Sequence, residues 1–365
     1  MAPRLDGHRP RPDRCGAVLL HRIPLAALLA VALAAACARS EREPPAPTPV
    51  AGTPTVAATA PAGTPEASPA EVRVAYLNLM SPIVVDVTDP VASETFAERL
   101  GMVIDAARVV TPDIFAVSEA TWTKQHGSAW AKLAAGLAME GSSFARATPW
   151  FPGQSEEESD ALRDLVGFEE GEYLLVRSPY AILRSERKTL NPRVSEAEAR
   201  AALHVVVRGP GSLGEFDVYV ARLAGNEETR LAQARDLLVW VELTRGRGLV
   251  LLFLGLESPP DSPVARLFTE RGYLDVAAPF GALPTCCRPT VLSETPQPPL
   301  SVRTDYIFTN GWPASAVVTF AEEPRVLEGG KLLYASDHAG LAAAIPVPES
   351  VRQEGAPDAT SAPGP

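Results

Sequence analysis

Apolar residues gather in short β-rich runs separated by helical periods along the middle of the chain. The runs are Val72–Leu79, Ile114–Val117, Tyr173–Val176, Leu203–Val207, Phe216–Leu223, Leu249–Leu254, Tyr306–Thr309 and Leu341–Ile345. Helical spacing appears at Phe96, Leu100, Val103 and Ala107 after a Ser93 cap, again at Leu231, Ala234, Leu238 and Val241, and briefly at Val264, Leu267 and Phe268. Strands interspersed with helices predict an α/β (α+β) domain over residues 71–346. The acidic stretch Ser155–Glu172 reads as a surface loop or short helix.

The ends of the chain are of another kind. Ile23–Ala36 is an unbroken apolar or small run preceded by arginines, and it stops at Leu33-Ala34-Ala35-Ala36-Cys37. It is too short for a comfortable membrane span and reads as a signal peptide over residues 1–36. Cysteine directly after small residues resembles a bacterial lipobox, with Cys37 as the lipidated N-terminus. An ordinarily cleaved secretory signal and an uncleaved anchor are the alternatives. Residues 37–70, rich in Pro, Ala and Thr, cannot bury a core and predict a disordered tether. Residues 347–365 share that composition and predict a disordered tail. The expected location is extracytoplasmic, lipid-anchored at the membrane or outer envelope.

The net charge of −11 becomes −14 without residues 1–36, which carry five Arg and two Asp. A chain this acidic is repelled by phosphate polymers, so nucleic acid is disfavoured as a partner. Gly209-Pro-Gly211-Ser-Leu-Gly214 fits a dinucleotide pattern but lies between two strand-like runs and contains proline, so it reads as a hairpin. Neither a phosphate loop, nor a G-x-S-x-G elbow, nor a C-x-x-C or H-E-x-x-H motif occurs. In the folded region only Cys286 and Cys287 remain; adjacent cysteines lack metal-ligand spacing and a disulfide between neighbours is strained, so they read as two loop thiols.

The residue types that carry chemistry sit where apolar strands stop. Val72–Asn78 ends on Asn78 and Pro112–Glu119 on Glu119, Asp305 opens Asp-Tyr-Ile-Phe, and Ser336-Asp337-His338 precedes the last strand. In type and order these segments resemble the endonuclease/exonuclease/phosphatase family. The resemblance implies a DNase I-like four-layer α/β/β/α sandwich of two mainly antiparallel sheets flanked by helices. It also implies Asn78, Glu119 and Asp337 as oxygen ligands of Mg²⁺ or Mn²⁺. His338 would be the base that activates water, with Asp305 orienting it. Leu174-Leu-Val-Arg177-Ser-Pro179 resembles another family segment and gives Arg177 a structural role.

Two parts of the family site are altered. Ala221-Arg222-Leu223 stands where the family has Thr-His-Leu, so Arg222 replaces a histidine; Arg230 and Gln233 on the next helix support the register. Gly255-Leu256-Glu257-Ser258 stands where the family has Gly-Asp-Phe-Asn, which makes Leu256 and Ser258 the degenerate positions and aims Leu256 at the cleft. Glu257, next to Leu256 on the strand, is expected to face away. Loss of the Asp and Asn equivalents removes several kcal/mol of barrier lowering. The metal is then expected to be weakly held or lost. Two readings follow: a catalytically impaired module that binds an anionic small molecule or phosphoester, and an active metal-dependent phosphodiesterase or phosphomonoesterase.

Overall fold

The computed structural model describes residues 69–81, 94–142, 144–149, 153–194 and 199–353. The run ending at Cys37, the tether up to residue 68, Ser93 and residues 354–365 lie outside the described residues. The longer strands are β1 (Glu71–Asn78), β2 (Ile114–Thr123), β3 (Ala145–Thr148), β4 (Phe168–Val176), β5 (Ala181–Leu190), β6 (Arg200–Arg208), β7 (Glu215–Arg222), β8 (Val250–Gly255), β9 (Asp305–Thr309), β10 (Ala316–Phe320) and β11 (Gly340–Pro346). The helices are α1 (Phe96–Val110), α2 (Ala129–Leu137), α3 (Glu156–Val166), α4 (Glu227–Thr244), α5 (Pro263–Glu270) and α6 (Glu349–Gln353).

One sheet orders its long strands β10-β11-β1-β2-β4, with β3 also on β4; the other runs β9-β8-β7-β6-β5. Pairing is antiparallel except between β1 and β2 and between β7 and β8. The sheets face each other across a core that includes Val74, Ile114 and Leu174 from the first and Leu203, Val218 and Phe253 from the second. On its outer face the first sheet meets α1 and α2 through Leu77, Phe115, Val117, Leu100, Val103 and Leu133. The second meets α4 and α5 through Tyr219, Leu252, Phe308, Leu238 and Phe268. This is the expected four-layer α/β/β/α sandwich.

Local chemistry explains several boundaries. Ser155 accepts from the Glu158 amide while Glu158 returns the bond, a capping box that starts α3. Ser262 caps α5 with Pro263 in its first turn. The Gly209–Gly214 connection is the expected hairpin, closed by Gly209 N donating to Gly214 O at 2.8 Å. A side chain at Gly209 would collide with Leu213. The stretch Ser155–Glu172 is not all surface: after α3 it enters β4, where Glu169, Glu170 and Glu172 are buried. Within the expected tail, residues 349–353 form the short helix α6.

Side chains alternate between sheet faces, and that alternation decides what reaches the end of the core. On β8, Val250, Leu252 and Leu254 face the helices, while Leu251 and Phe253 face the opposite sheet. Leu256 continues the helix-facing set and is fully buried there. It therefore does not project into the cleft, which corrects the expectation from the Gly-Asp-Phe-Asn register. Gly255 and Glu257 hold the cleft-facing places instead.

Leu256→Asp puts an unpaired carboxylate into an apolar layer, so it should cost about 3–5 kcal/mol of stability. Leu256→Met should cost less than about 1.5 kcal/mol. Urea unfolding followed by circular dichroism checks both; a Leu256→Asp protein as stable as its parent would contradict the strand alignment.

Candidate functional site

The cleft lies where the two sheets' facing rows run out of apolar side chains. β1 continues Val72, Val74 and Tyr76 with Asn78, and β7 continues Phe216, Val218 and Val220 with Arg222. β9 places Asp305 in the row of Ile307, and β4 places Glu170 and Glu172 in the row of Leu174 and Val176. Glu119 reaches the same place by a different route. Alternation along β2 would send it toward the helices with Phe115 and Val117, but the strand bulges between Val117 and Ala120. Its left-handed φ of +53° turns the carboxylate toward Asn78. Left-handed backbone at a bulky residue is costly and is kept where the surroundings enforce it.

Glu119 is 5% exposed and fully engaged. Oε1 accepts from Asn78 Nδ2 at 3.2 Å and faces Arg222 Nη1 at 3.0 Å; Oε2 accepts from Ser81 N at 2.7 Å. Burial alone would raise the Glu119 carboxyl, but Arg222, the Ser81 amide, Arg200 and His338 hold it below its ordinary range. The Arg222 guanidinium also donates through Nε to Glu257 Oε1 at 3.0 Å. Burial opposes its charge, yet the carboxylates of Glu119, Glu257 and Glu170 outweigh this and make the guanidinium hold its proton more firmly than usual. One fixed cation thus bridges two carboxylates in the cleft.

The expected metal ligands do not fit a hard divalent ion as they are arranged. Glu119 is consumed by Arg222, and Asn78 Oδ1 accepts from Met80 N at 2.9 Å. Asp337, half-buried, lies on the loop before β11, with Oδ1 accepting from Ser336 Oγ at 3.2 Å. Among the described residues no three carboxylates bring oxygens within 4.8 Å of one another. Burial raises the Asp337 carboxyl; His338 opposes this, and Glu119 and Glu257 add to it.

His338 and Asp305 do meet: His338 Nδ1 and Asp305 Oδ2 are 2.7 Å apart, both residues buried. Burial pulls the imidazole pKa down, but Asp305, Asp337 and Glu257 outweigh it and push it up to about 10. On its other side, His338 Nε2 lies 3.8 Å from Cys287 Sγ. Cys286 and Cys287 are joined as a disulfide, not two separate loop thiols. The loop is anchored by Ser336 Oγ donating to Asn78 O at 2.7 Å and by Arg99 Nη1 donating to Ala335 O at 3.1 Å.

At the altered segment, Gly255 points its missing Cβ at the Tyr76 hydroxyl, 2.9 Å away, and at Arg222 Cγ, 3.2 Å away. A larger residue there would displace one of them. Glu257 turns inward at φ +52°, contrary to the expectation that it faces away. Ser258, 1% exposed, accepts from Arg230 Nε at 3.0 Å, which ties α4 to the strand end and agrees with the Arg230/Gln233 spacing. Arg177 has the expected structural role, donating to Pro112 O at 3.0 Å and Leu137 O at 3.2 Å.

Sequence reasoning did not find Glu170, Glu172 and Arg200. Glu170 pairs with Arg200 at 3.2 Å, and Glu172 Oε2 accepts from Ser118 Oγ at 2.5 Å. Ser118 in turn shares a 2.6 Å hydrogen bond with Tyr76. Alternation of Glu170 and Glu172 with Leu174 and Val176 was the available signal, hidden in a run of acidic residues. Burial pushes the Glu172 carboxyl up to about 8, against smaller opposing effects of Ser118, Arg200 and Arg222. The folded protein therefore holds this proton more tightly than the unfolded chain does. That contribution to stability is complete below about pH 4.5 and is lost as pH rises through about 8. Between pH 5 and pH 8 the parent should lose stability relative to Glu172→Gln, by an amount on the order of a few kcal/mol. Parallel urea titrations at both pH values check this; identical pH dependence in parent and variant would contradict it.

No family model and no curated protein matches this chain. Solved structures do. The catalytic domain of human Nocturnin, solved with bound sulfate, shares 17% identity at a TM-score of 0.53, covering 77% of this chain and 94% of that one. A mannosyl-6-phosphatase of Bacteroides thetaiotaomicron shares 13% at 0.55, covering 76% and 100%. An endonuclease/exonuclease/phosphatase protein of Bacteroides vulgatus shares 14% at 0.55, covering 76% and 99%. At these identities the likeness is one of architecture, and the chain has the DNase I-like sandwich fold of endonuclease/exonuclease/phosphatase structures.

Proposed function

We propose that this domain is a cation-locked relative of the fold, in which Arg222 stands in for a divalent metal and the cleft binds rather than hydrolyses. The observation that carries this is the Arg222 guanidinium paired at once with Glu119 and Glu257, each at 3.0 Å. A metal competing for Glu119 would have to take one of the two carboxylates from a largely buried, oriented cation and leave it paired with Glu257 alone, a cost the metal's own binding must exceed. The ligand class is a small anion or phosphoester. It would meet Arg222, whose side chain remains 15% exposed, and the protonated ring of His338. Nucleic acid remains disfavoured by the net negative charge.

A competing reading, an active phosphoester hydrolase, is favoured by one observation, the 2.7 Å His338–Asp305 dyad. With the ring held protonated up to about pH 10, it is a poor acceptor of a proton from water at neutral pH.

Calorimetric titration of the full chain with Mn²⁺ separates the readings. The parent should bind Mn²⁺ weakly or not at all, and Arg222→Ala should raise the affinity about tenfold or more by freeing Glu119 and Glu257. Tight binding by the parent, or metal-dependent phosphodiester turnover that His338→Ala abolishes, would reject the locked cleft in favour of the hydrolase.

We also propose that the domain is held outside the cytoplasm by a lipid on Cys37, a reading supported by the apolar run that precedes it. Mass spectrometry of the mature N-terminus should find an acylated Cys37, absent in Cys37→Ser. A mature chain that starts elsewhere without acylation would reject this.

A further inference from the structure

Three side chains below the cleft form an unbroken line of oxygens. Glu172 Oε2 and Ser118 Oγ are 2.5 Å apart, and Ser118 Oγ and the Tyr76 hydroxyl 2.6 Å. Tyr76 and Ser118 have no exposed surface and Glu172 is 2% exposed, so the line is shut off from bulk water. Its Tyr76 end lies beside Asp305. The hydroxyl is 2.9 Å from the place of a Gly255 Cβ, and Gly255 is directly opposite Asp305 in the β8–β9 pairing. Opposed residues of antiparallel strands share a face, with Cβ positions about 5 Å apart. Tyr76 therefore takes the place of a cross-strand neighbour of Asp305, and burial first and Asp305 next keep the phenol protonated. Asp305 Oδ2 faces His338 Nδ1 at 2.7 Å and accepts from Thr304 Oγ1 at 3.1 Å. Among the described residues nothing donates to its buried Oδ1.

A line of hydroxyls has two directions, and the carboxyl at its end selects one. An ionised Glu172 only accepts, so Ser118 spends its single proton on Glu172 and Tyr76 donates to Ser118. The Tyr76 oxygen then turns lone pairs toward Asp305. In a protonated Glu172 the proton sits on Oε2, the carboxyl oxygen with a hydrogen-bond partner, and is donated to Ser118. Ser118 then donates to Tyr76, and the Tyr76 proton is freed to turn toward Asp305. The reversal moves hydrogens only.

We propose that Tyr76 is a positioning residue of the His338–Asp305 dyad, and that Glu172, acting through Ser118, decides whether its hydroxyl faces Asp305 as donor or as acceptor. The inference does not rest on Arg222 standing in for a metal. As a donor, Tyr76 draws charge from Asp305 and loosens its hold on the His338 ring; as an acceptor, it leaves that hold at full strength. The groups around Glu172 set where the line reverses. Burial raises its carboxyl to about 8, Ser118 on β2, Arg200 on β6 and Arg222 on β7 pull it down, and Glu170 on β4 itself adds to the rise. Arg222 also faces Tyr76 and opposes the rise of its phenol.

Nuclear magnetic resonance on the full chain tests this between about pH 6 and about pH 9, around the Glu172 transition. It follows the proton shared by His338 Nδ1 and Asp305 Oδ2 together with the Glu172 carboxyl carbon. In the parent that proton should move downfield as Glu172 ionises, with the same midpoint as the carbon. Tyr76→Phe removes the donor and should hold the proton near the parent's high-pH position. Ser118→Ala frees the Tyr76 hydroxyl for Asp305 at every pH and should hold it near the low-pH position. Each variant, checked for native circular dichroism, should lose more than about half of the parental shift. A carbon-13 label on the hydroxyl-bearing ring carbon of Tyr76 gives a readout without substitution, and it should titrate with Glu172. The inference is overturned if either variant keeps the full parental shift, which would assign it to the field of the Glu172 charge. It is also overturned if both variants settle at the same position, if the Tyr76 carbon ignores Glu172, or if Glu172 does not titrate in this range.

Discussion

The ion pairs of Arg222 with Glu119 and Glu257 govern the rest of the cleft. Each member is brought there by a separate backbone device: strand alternation for Arg222, a bulge with left-handed φ for Glu119, and a left-handed turn after β8 for Glu257. Two costly backbone conformations converge on one guanidinium, which ties the positions of both carboxylates to the charge between them. Remove that charge and the buried Glu119 and half-buried Glu257 carboxylates are left near Asp337, offset by the more distant Arg99, Arg200 and His338. The arrangement has the logic of a metal centre with a covalently attached cation in the metal's place.

That view changes what the altered Gly255-Leu256-Glu257-Ser258 segment means. The cleft has not lost its acid to an intruding leucine, because Leu256 belongs to the helix-facing layer. It has gained a carboxylate at Glu257, while Gly255, a glycine as in the family segment, leaves the space that the Tyr76 hydroxyl and Arg222 occupy. Tyr76, Ser118 and Glu172 form a hydrogen-bonded chain below it, with Glu172 holding its proton. The cleft floor is thus a closed polar network, rigid because its members already satisfy one another.

Much of this was legible in the sequence. The apolar runs located the main strands, since buried strands are the most strongly patterned segments, but stopped short where polar residues continue them: β2 runs on to Thr123 and β4 starts at Phe168. The pairing of His338 with Asp305, and the approach of Asn78 to Glu119, followed from residues that end those strands. The register at β8 was not legible, because Leu249–Leu254 is apolar at every position and gives alternation nothing to contrast. Glu170 and Glu172 were hidden for a related reason: a run of acids reads as surface until the strand's other residues fix which way each points. Strands β3, β5 and β10 were missed because they are short, charged or half-exposed. The proximity of the cysteines to His338 depends on a contact between residues 51 positions apart, beyond any local pattern.

The central claim, that an internal arginine has taken the place of a divalent cation, is tested most directly by crystals of the full chain soaked in Mn²⁺ and measured for its anomalous scattering. The account predicts no manganese peak among Asn78, Glu119 and Asp337, with Arg222 still bridging Glu119 and Glu257. A peak coordinated by Glu119 and Asp337, with Arg222 turned out of the cleft, would contradict it.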